Sequence, residues 1–175
     1  MALVVFLRGV NVGGHRTFRP SVLAQQLKRF DAVSIGAAGT FVIRKPPSQA
    51  ELLAELKRRL PFETEIVICR GRDLIATASE NPFADVPIQK DVVRFVSILA
   101  KRPRVLPSLP LSFPSEGPWL LRVFANKGRF VFGTYRRHMK AIAYLQRLDT
   151  LFGGPATTRN WNTFNAIVKV LKPGS

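Results

Sequence analysis

The chain has 175 residues, 46% of them hydrophobic, and Phe with 13 copies is its main aromatic residue. A chain of this length and apolarity can bury a sizeable core, which excludes an intrinsically disordered protein. The net charge of +16 comes from 27 Lys and Arg against 11 Asp and Glu. This charge favours acidic partners, although a solvated basic surface without any partner has the same composition.

The charge is concentrated in the second half. Residues 1–90 hold 13 basic and 8 acidic side chains, whereas residues 91–175 hold 14 and 3. We therefore expect any affinity for nucleic acid or another polyanion to reside mainly after residue 90.

Several classes of protein and site are disfavoured. Cys69 is a single cysteine, so no intramolecular disulfide forms, and the two histidines, His15 and His138, build no cluster with zinc spacing. We expect no metal or cofactor. The apolar N-terminal run stops at Arg8, too short for a signal peptide or a membrane span, so we expect a cytoplasmic protein without a membrane partner.

The first half predicts the element order β-α-β-β-α-β. An apolar run from Leu3 to Leu7 predicts a buried central strand, and Pro20 opens a helix that continues to Arg29. Ser48 and Glu51 form a capping box at the start of a second helix. The remaining strands are predicted over residues 32–35, 40–44 and 63–69. This order is typical of a ferredoxin-like unit.

The second half repeats an α+β pattern without an obvious first helix. Its predicted elements follow a helix over 73–80 that still belongs to the first half. They are a strand over 92–99, a Pro-rich loop over 101–117, a hairpin of strands 118–125 and 129–135, a helix over 136–152 and a last helix from about Thr158. We predict an α+β fold of two ferredoxin-like (βαββαβ-type) halves packed into one compact unit. The halves are residues 1–88 and residues 89–175, the latter ending in the final helix.

Two polar motifs are the candidate functional residues. The first, Arg8-Gly9-Val10-Asn11-Val12-Gly13-Gly14, follows the first strand and can set backbone N–H groups around an anion. The second, Thr157 to Thr163, contains Arg159, Asn160 and Asn162 near the start of the last helix. On a helix Arg159, Asn162 and Thr163 would share one face with the positive end of the dipole.

Each motif also has a purely structural interpretation. The glycines suit a tight connection with positive φ, and Thr158 with the Asn residues suits a helix cap and its loop. His15 is a candidate acid or base, although a lone loop histidine usually faces solvent. The run from Lys127 to Phe132 imitates a base-stacking RNA-binding pattern, but core packing of Phe130 and Phe132 explains it equally simply.

The two motifs also carry a family resemblance. Leu7 to Gly14 and Thr158 to Thr163 are similar to the LLRGINVGG-like opening and the TxRNWNT closing signature of bacterial domain-of-unknown-function family 1697, and Asn81-Pro82-Phe83 resembles its central NPF. The resemblance, that of a divergent member, spans essentially the whole chain. It implies an α+β fold of two ferredoxin-like halves and no established activity.

Three functions follow from these observations. The first is binding of an anionic ligand, nucleic acid or a nucleotide, at the junction of the halves. Its predicted ligand set is Arg8, Asn11, Gly13, Gly14, Arg159, Asn160, Asn162 and Thr163. The second is an enzyme on a small phosphorylated or carboxylated substrate, and the third is a scaffold with no ligand. The anion-binding function predicts that the two motifs approach each other and that Arg159 is a solvated side chain at a pocket rim.

Overall fold

The computed structural model describes residues 1–10 and 17–172. Contacts divide the chain into a first unit, Met1–Glu80 with Thr163–Ser175, and a second unit, Asn81–Asn162. This grouping places most of the last helix with the N-terminal segment, whereas the sequence predicted a boundary at residue 88. The prediction of a mixed α/β fold is confirmed, with an antiparallel sheet in each unit.

The first unit is a four-stranded sheet with helices. Its elements are β1 Leu3–Leu7, α1 Pro20–Gln26, a 3₁₀ turn Lys28–Phe30, β2 Ala32–Ile35, β3 Thr40–Ile43, α2 Gln49–Arg59, β4 Ile66–Arg70 and α3 Gly71–Ser79. The strand order is β2-β3-β1-β4. All five residues of β1 are buried, as its uninterrupted apolar run predicted for a central strand.

Helix α2 covers one face of this sheet because its sequence is amphipathic. The Ser48 hydroxyl accepts a hydrogen bond from the Glu51 backbone N–H at 3.1 Å, which confirms the Ser48 bond of the predicted capping box. Leu52 and Leu56 are buried in the core that also contains Phe41. Lys57, Arg58 and Arg59 occupy the last turn, where cations suit the helix dipole.

Three arginines surround Glu55 on the outer face of α2. Its carboxylate accepts hydrogen bonds from Arg58 at 2.7 and 2.8 Å, from Arg59 at 3.0 Å and from Arg29 at 3.0 Å. The hydrogen bonds from Arg58 and then Arg59 lower the pKa of Glu55 below its ordinary value.

We expect Glu55→Gln to lower the melting temperature at neutral pH but not in acid. A carboxyl group with a lowered folded-state pKa contributes stability above its unfolded-state pKa, and that contribution is lost as the pH falls through the folded-state pKa. Thermal melts at both pH values measure the difference. Glu116→Gln is the control, because Glu116 makes no ion pair among the described residues. A Glu55→Gln deficit that persists in acid would contradict this account.

The second unit is a five-stranded sheet with helices packed against it. Its elements are β5 Val92–Leu99, β6 Leu111–Phe113, β7 Leu121–Lys127, β8 Phe130–Arg136, α4 Met139–Gln146, α5 Leu148–Leu151 and β9 Ala156–Asn160. The strand order is β6-β7-β8-β5-β9. Helix α6, Trp161–Leu171, begins at the end of this unit and continues into the first.

Three local predictions for this region are wrong. Residues 111–113 form a short strand inside the predicted Pro-rich loop, because they pair with Leu121 to Val123 of β7. The predicted helix over 136–152 is two helices, and its first residue belongs to β8. The predicted start of the last helix at Thr158 lies in β9, because these residues pair along β5. No helix among the described residues is long and apolar enough to cross a membrane.

Candidate functional site

The first motif begins where β1 ends. The Arg8 backbone N–H donates to the Glu65 carbonyl at 3.1 Å, and the Arg8 carbonyl accepts from the Thr64 hydroxyl. Gly9 has a φ of +66°, so the chain turns there in a conformation that glycine adopts without strain. The predicted ligands Asn11, Gly13 and Gly14, and the candidate acid or base His15, lie outside the described residues.

A cavity of about 810 Å³ adjoins this turn within the first unit. Arg8 and Lys57 line it together with Glu63 and Glu65, and its remaining lining includes Phe62. The volume lies in the range of small-molecule sites. Two cations and two carboxylates balance one another, so the charge of this cavity does not by itself select an anion.

The second motif is divided between a strand and a helix. Arg159 and Asn160 are the last residues of β9, and Trp161 begins α6. The prediction that Arg159, Asn162 and Thr163 share the first turn of a helix is therefore wrong for Arg159. Asn160 and Asn162 are exposed, and Thr163 is half-buried. The predicted approach of the two motifs stays a prediction.

Arg159 is buried rather than solvated. Only 7% of its surface is exposed, and its Nη1 donates to the Thr158 carbonyl at 2.9 Å. Burial lowers the pKa of Arg159 to about 10, because a low-polarity environment disfavours the charged guanidinium. The expectation of a solvated side chain at a pocket rim is wrong, because β9 pairs Arg159 with the buried Val96 of β5.

Thr157 lies two residues before Arg159 on the same face of β9. It is 2% exposed, and its hydroxyl has no hydrogen-bond partner among the described residues. The neighbouring hydroxyl, that of Thr158, is 2.6 Å from the Ser97 hydroxyl. Thr157 and Thr158 are therefore adjacent threonines of which only Thr158 has a hydroxyl that is hydrogen-bonded within the described part of the chain, so substitutions at the two positions can be compared directly.

We expect Thr157→Val to raise the free energy of unfolding by about 1 kcal/mol, because it removes a buried polar group that lacks a partner. Thr158→Val should lower it by about 1 kcal/mol, because it breaks the bond to Ser97. Urea denaturation measures both changes. Destabilisation by Thr157→Val would show that its hydroxyl has a partner such as a bound water.

Trp161 belongs to an aromatic cluster in the second unit. Phe83, from the Asn81-Pro82-Phe83 segment, contacts it with ring centroids 4.9 Å apart and also contacts Phe124 and Phe132. Phe130 and Phe132 are both at least 90% buried. Their burial supports core packing and leaves neither ring free to stack on an RNA base in this structure.

The structure adds an arginine cluster that the sequence motifs did not indicate. We call Arg94, Arg122, Arg136 and Trp119 the arginine platform. Arg122 and Arg94 lie opposite Thr134 from either side, so all three side chains share one face of the sheet. Arg136 follows Thr134 by two residues on β8 and shares that face.

Trp119 supports two of these arginines. The guanidinium carbons of Arg122 and Arg136 lie 4.4 and 4.2 Å from its ring centroid. Arg136 also donates from Nε to the Trp119 carbonyl at 2.9 Å and from Nη1 to Asp91 at 3.0 Å. The only local sequence signal for this cluster was the spacing of Trp119 and Arg122, three residues apart. The contact between Trp119 and Arg136 could not be seen in the sequence, because it depends on the register of β7 and β8.

These features define a basic mixed α/β protein with an antiparallel sheet in each of two units. The chain belongs to the family described as "Protein of unknown function (DUF1697)", whose model matches residues 1–109. The match confirms the family resemblance and includes the first motif, whereas the second motif, Thr157 to Thr163, lies outside the matched residues. Among solved structures the chain is similar to the conserved bacterial protein SP0830 from Streptococcus pneumoniae, with 18% identity, a TM-score of 0.65 and 98% of each chain covered. No curated protein matches the chain.

Proposed function

We propose that the protein binds nucleic acid through the arginine platform of the second unit. The observation that carries this proposal is the support of Arg122 and Arg136 by one indole ring, at 4.4 and 4.2 Å. Guanidinium groups bind phosphate through paired N–H donors, and a cation that is already positioned loses less entropy on binding.

The surroundings of the platform favour an anion. Arg122 is exposed and makes no ion pair among the described residues. Arg137 follows Arg136, is also exposed, and donates from Nε to the Lys90 carbonyl at 3.3 Å. The Asp91 carboxylate accepts a hydrogen bond from Arg136 and offsets part of the positive charge of this cluster. The excess of positive charge would attract a phosphate backbone without reading its sequence.

The decisive experiment is fluorescence anisotropy of a labelled single-stranded oligonucleotide across a range of NaCl concentrations. We expect Arg122→Gln to weaken binding and to reduce the slope of log affinity against log salt by about 0.7, the value for one lost contact to a single strand. Arg137→Gln should act similarly. Arg136 is unsuitable as a first variant because it also holds the Trp119 carbonyl, and Arg129 because its Nε donates to the Leu99 carbonyl at 2.9 Å.

The control is Arg72→Gln, which removes an exposed cation from helix α3 of the first unit. It should leave affinity and salt slope nearly unchanged. Equal losses for Arg72→Gln and Arg122→Gln would show that only net charge matters. Absence of binding by the unmodified protein at low salt would refute the proposal.

The cavity beside Arg8 supports a second candidate, a small-ligand site in the first unit. Its volume of about 810 Å³ suits a ligand, and Arg8 of the predicted ligand set lines it beside Gly9 of the first motif. The ligand roles predicted for Asn11, Gly13, Gly14, Arg159, Asn160, Asn162 and Thr163 stay predictions. A thermal-shift series with nucleoside phosphates tests it, and loss of the shift in Arg8→Gln is the expected result.

We also propose that both units are ferredoxin-like. The strand order β2-β3-β1-β4 of the first unit has the same pattern as β7-β8-β5-β9 of the second, which supports the proposal. In the second unit a long connection containing β6 would replace the first helix.

A further inference from the structure

A second basic feature of the second unit lies far along β5 from the arginine platform. After β5 ends at Leu99, the chain runs through Lys101, Arg102 and Arg104 and forms one wall of a cleft of about 620 Å³. The opposite wall is the segment Thr150–Pro155, which comprises the end of α5 and the turn after it. The Ala100 N–H donates to the Pro155 carbonyl at 3.0 Å and joins the walls.

The charge of this cleft is one-sided. Lys101, Arg102 and Arg104 are exposed, and none of them makes an ion pair within the described part of the chain. No carboxylate side chain is among the residues described as lining the cleft. The cavity beside Arg8 differs, because Glu63 and Glu65 line it.

The interior of the cleft is apolar. Leu99 and Phe152 lie at its base, nearly buried in the core of the unit, and therefore give it a fixed floor. Val105 and Leu106 lie on its wall with 79% and 55% of their surfaces exposed. Large apolar side chains so exposed beside a cavity are typical of a ligand site.

We propose that this cationic cleft binds a small free anion with an aliphatic body, such as an alkyl carboxylate. The cations would hold the charged head, and the aliphatic walls would cover the chain. A nucleotide fits less well. Apart from the three cations, Thr150 is the one side chain with a polar group among the described residues that line the cleft. Phe152, at 4% exposure, offers little ring surface to a base.

Isothermal titration calorimetry with hexanoate, octanoate and decanoate, each below its micelle-forming concentration, tests the proposal. Affinity should rise with chain length by up to about fourfold for each buried methylene until the cleft is full. Acetate lacks the tail and decanol lacks the charge, so both should bind at least tenfold more weakly than decanoate. The double variant Lys101→Gln/Arg104→Gln should weaken decanoate binding by about tenfold.

The controls separate the head and tail contributions. Leu106→Ser should reduce the gain per methylene while keeping the charge, and Arg72→Gln should change neither. Circular dichroism confirms that each variant is folded. The proposal is overturned if decanoate does not bind or if the double variant binds it normally. Preference for adenosine monophosphate, or binding only to phosphatidylglycerol vesicles, would also overturn it by identifying a nucleotide site or a membrane surface.

Discussion

Gly133→Ala is expected to destabilise the protein by about 3 kcal/mol or more, a large fraction of the free energy of unfolding of a typical domain. Gly133 lies in β8, between Val123 of β7 and Phe95 of β5. An added Cβ would overlap the Arg122 carbonyl oxygen and lie 2.6 and 2.7 Å from the Phe95 ring. Backbone on one side and a fully buried ring on the other leave the methyl group no space.

Gly154→Ala is the matched control. Nothing lies within 4 Å of a Cβ placed there, and Gly154 has no positive φ, so the change should alter stability by less than about 0.5 kcal/mol. Urea denaturation followed by circular dichroism compares the two variants. If Gly133→Ala unfolded at the same urea concentration as Gly154→Ala, the close packing of β8 against Phe95 would be wrong. Because Arg122 belongs to the arginine platform, the destabilised variant should also lose nucleic-acid affinity.

Local chemistry made the first unit largely predictable. Strand β1 has an uninterrupted apolar run, α2 has a Ser48 cap and a leucine stripe, and both elements form where the sequence placed them. These signals act between residues close in sequence, so one stretch of chain carries all the information needed. The mixed α/β class followed from the order of such elements.

Strand β9 could not be predicted in the same way. Ala156 to Asn160 has little apolar alternation, and its strand conformation depends on pairing with β5, some sixty residues earlier. The arginine platform likewise depends on the pairing of strands that are distant in sequence. Arg94, Arg122 and Arg136 share a face because three strands adopt one register, which no local pattern encodes.

Register also determines whether Arg159 has a structural role. Its side chain lies on the face of β9 that is buried, and 7% of its surface remains exposed. A sequence that reads Arg-Asn-Trp-Asn suggests a polar cluster around one site. The structure instead buries Arg159 and Trp161 and exposes Asn160 and Asn162.

We expect Arg159→Ala to lower the free energy of unfolding by about 3 kcal/mol, because it leaves a cavity and removes a buried donor from the Thr158 carbonyl. Arg159→Met should recover most of this loss, since it fills similar space without burying a charge. Urea denaturation measures both. Val168→Ala, a truncation at another buried position, calibrates the cost of a cavity.

The same variants decide whether Arg159 serves a ligand. If the residue is structural, Arg159→Met should bind oligonucleotide and nucleoside phosphate as the unmodified protein does. If Arg159 contacts an anion, as its motif predicts, Arg159→Met should remain folded yet lose that affinity by tenfold or more, the cost of one charge-assisted hydrogen bond. A wild-type stability for Arg159→Ala would contradict its burial. Because the folded Met variant removes only the guanidinium, its binding curve separates the charge from the packing that the side chain provides.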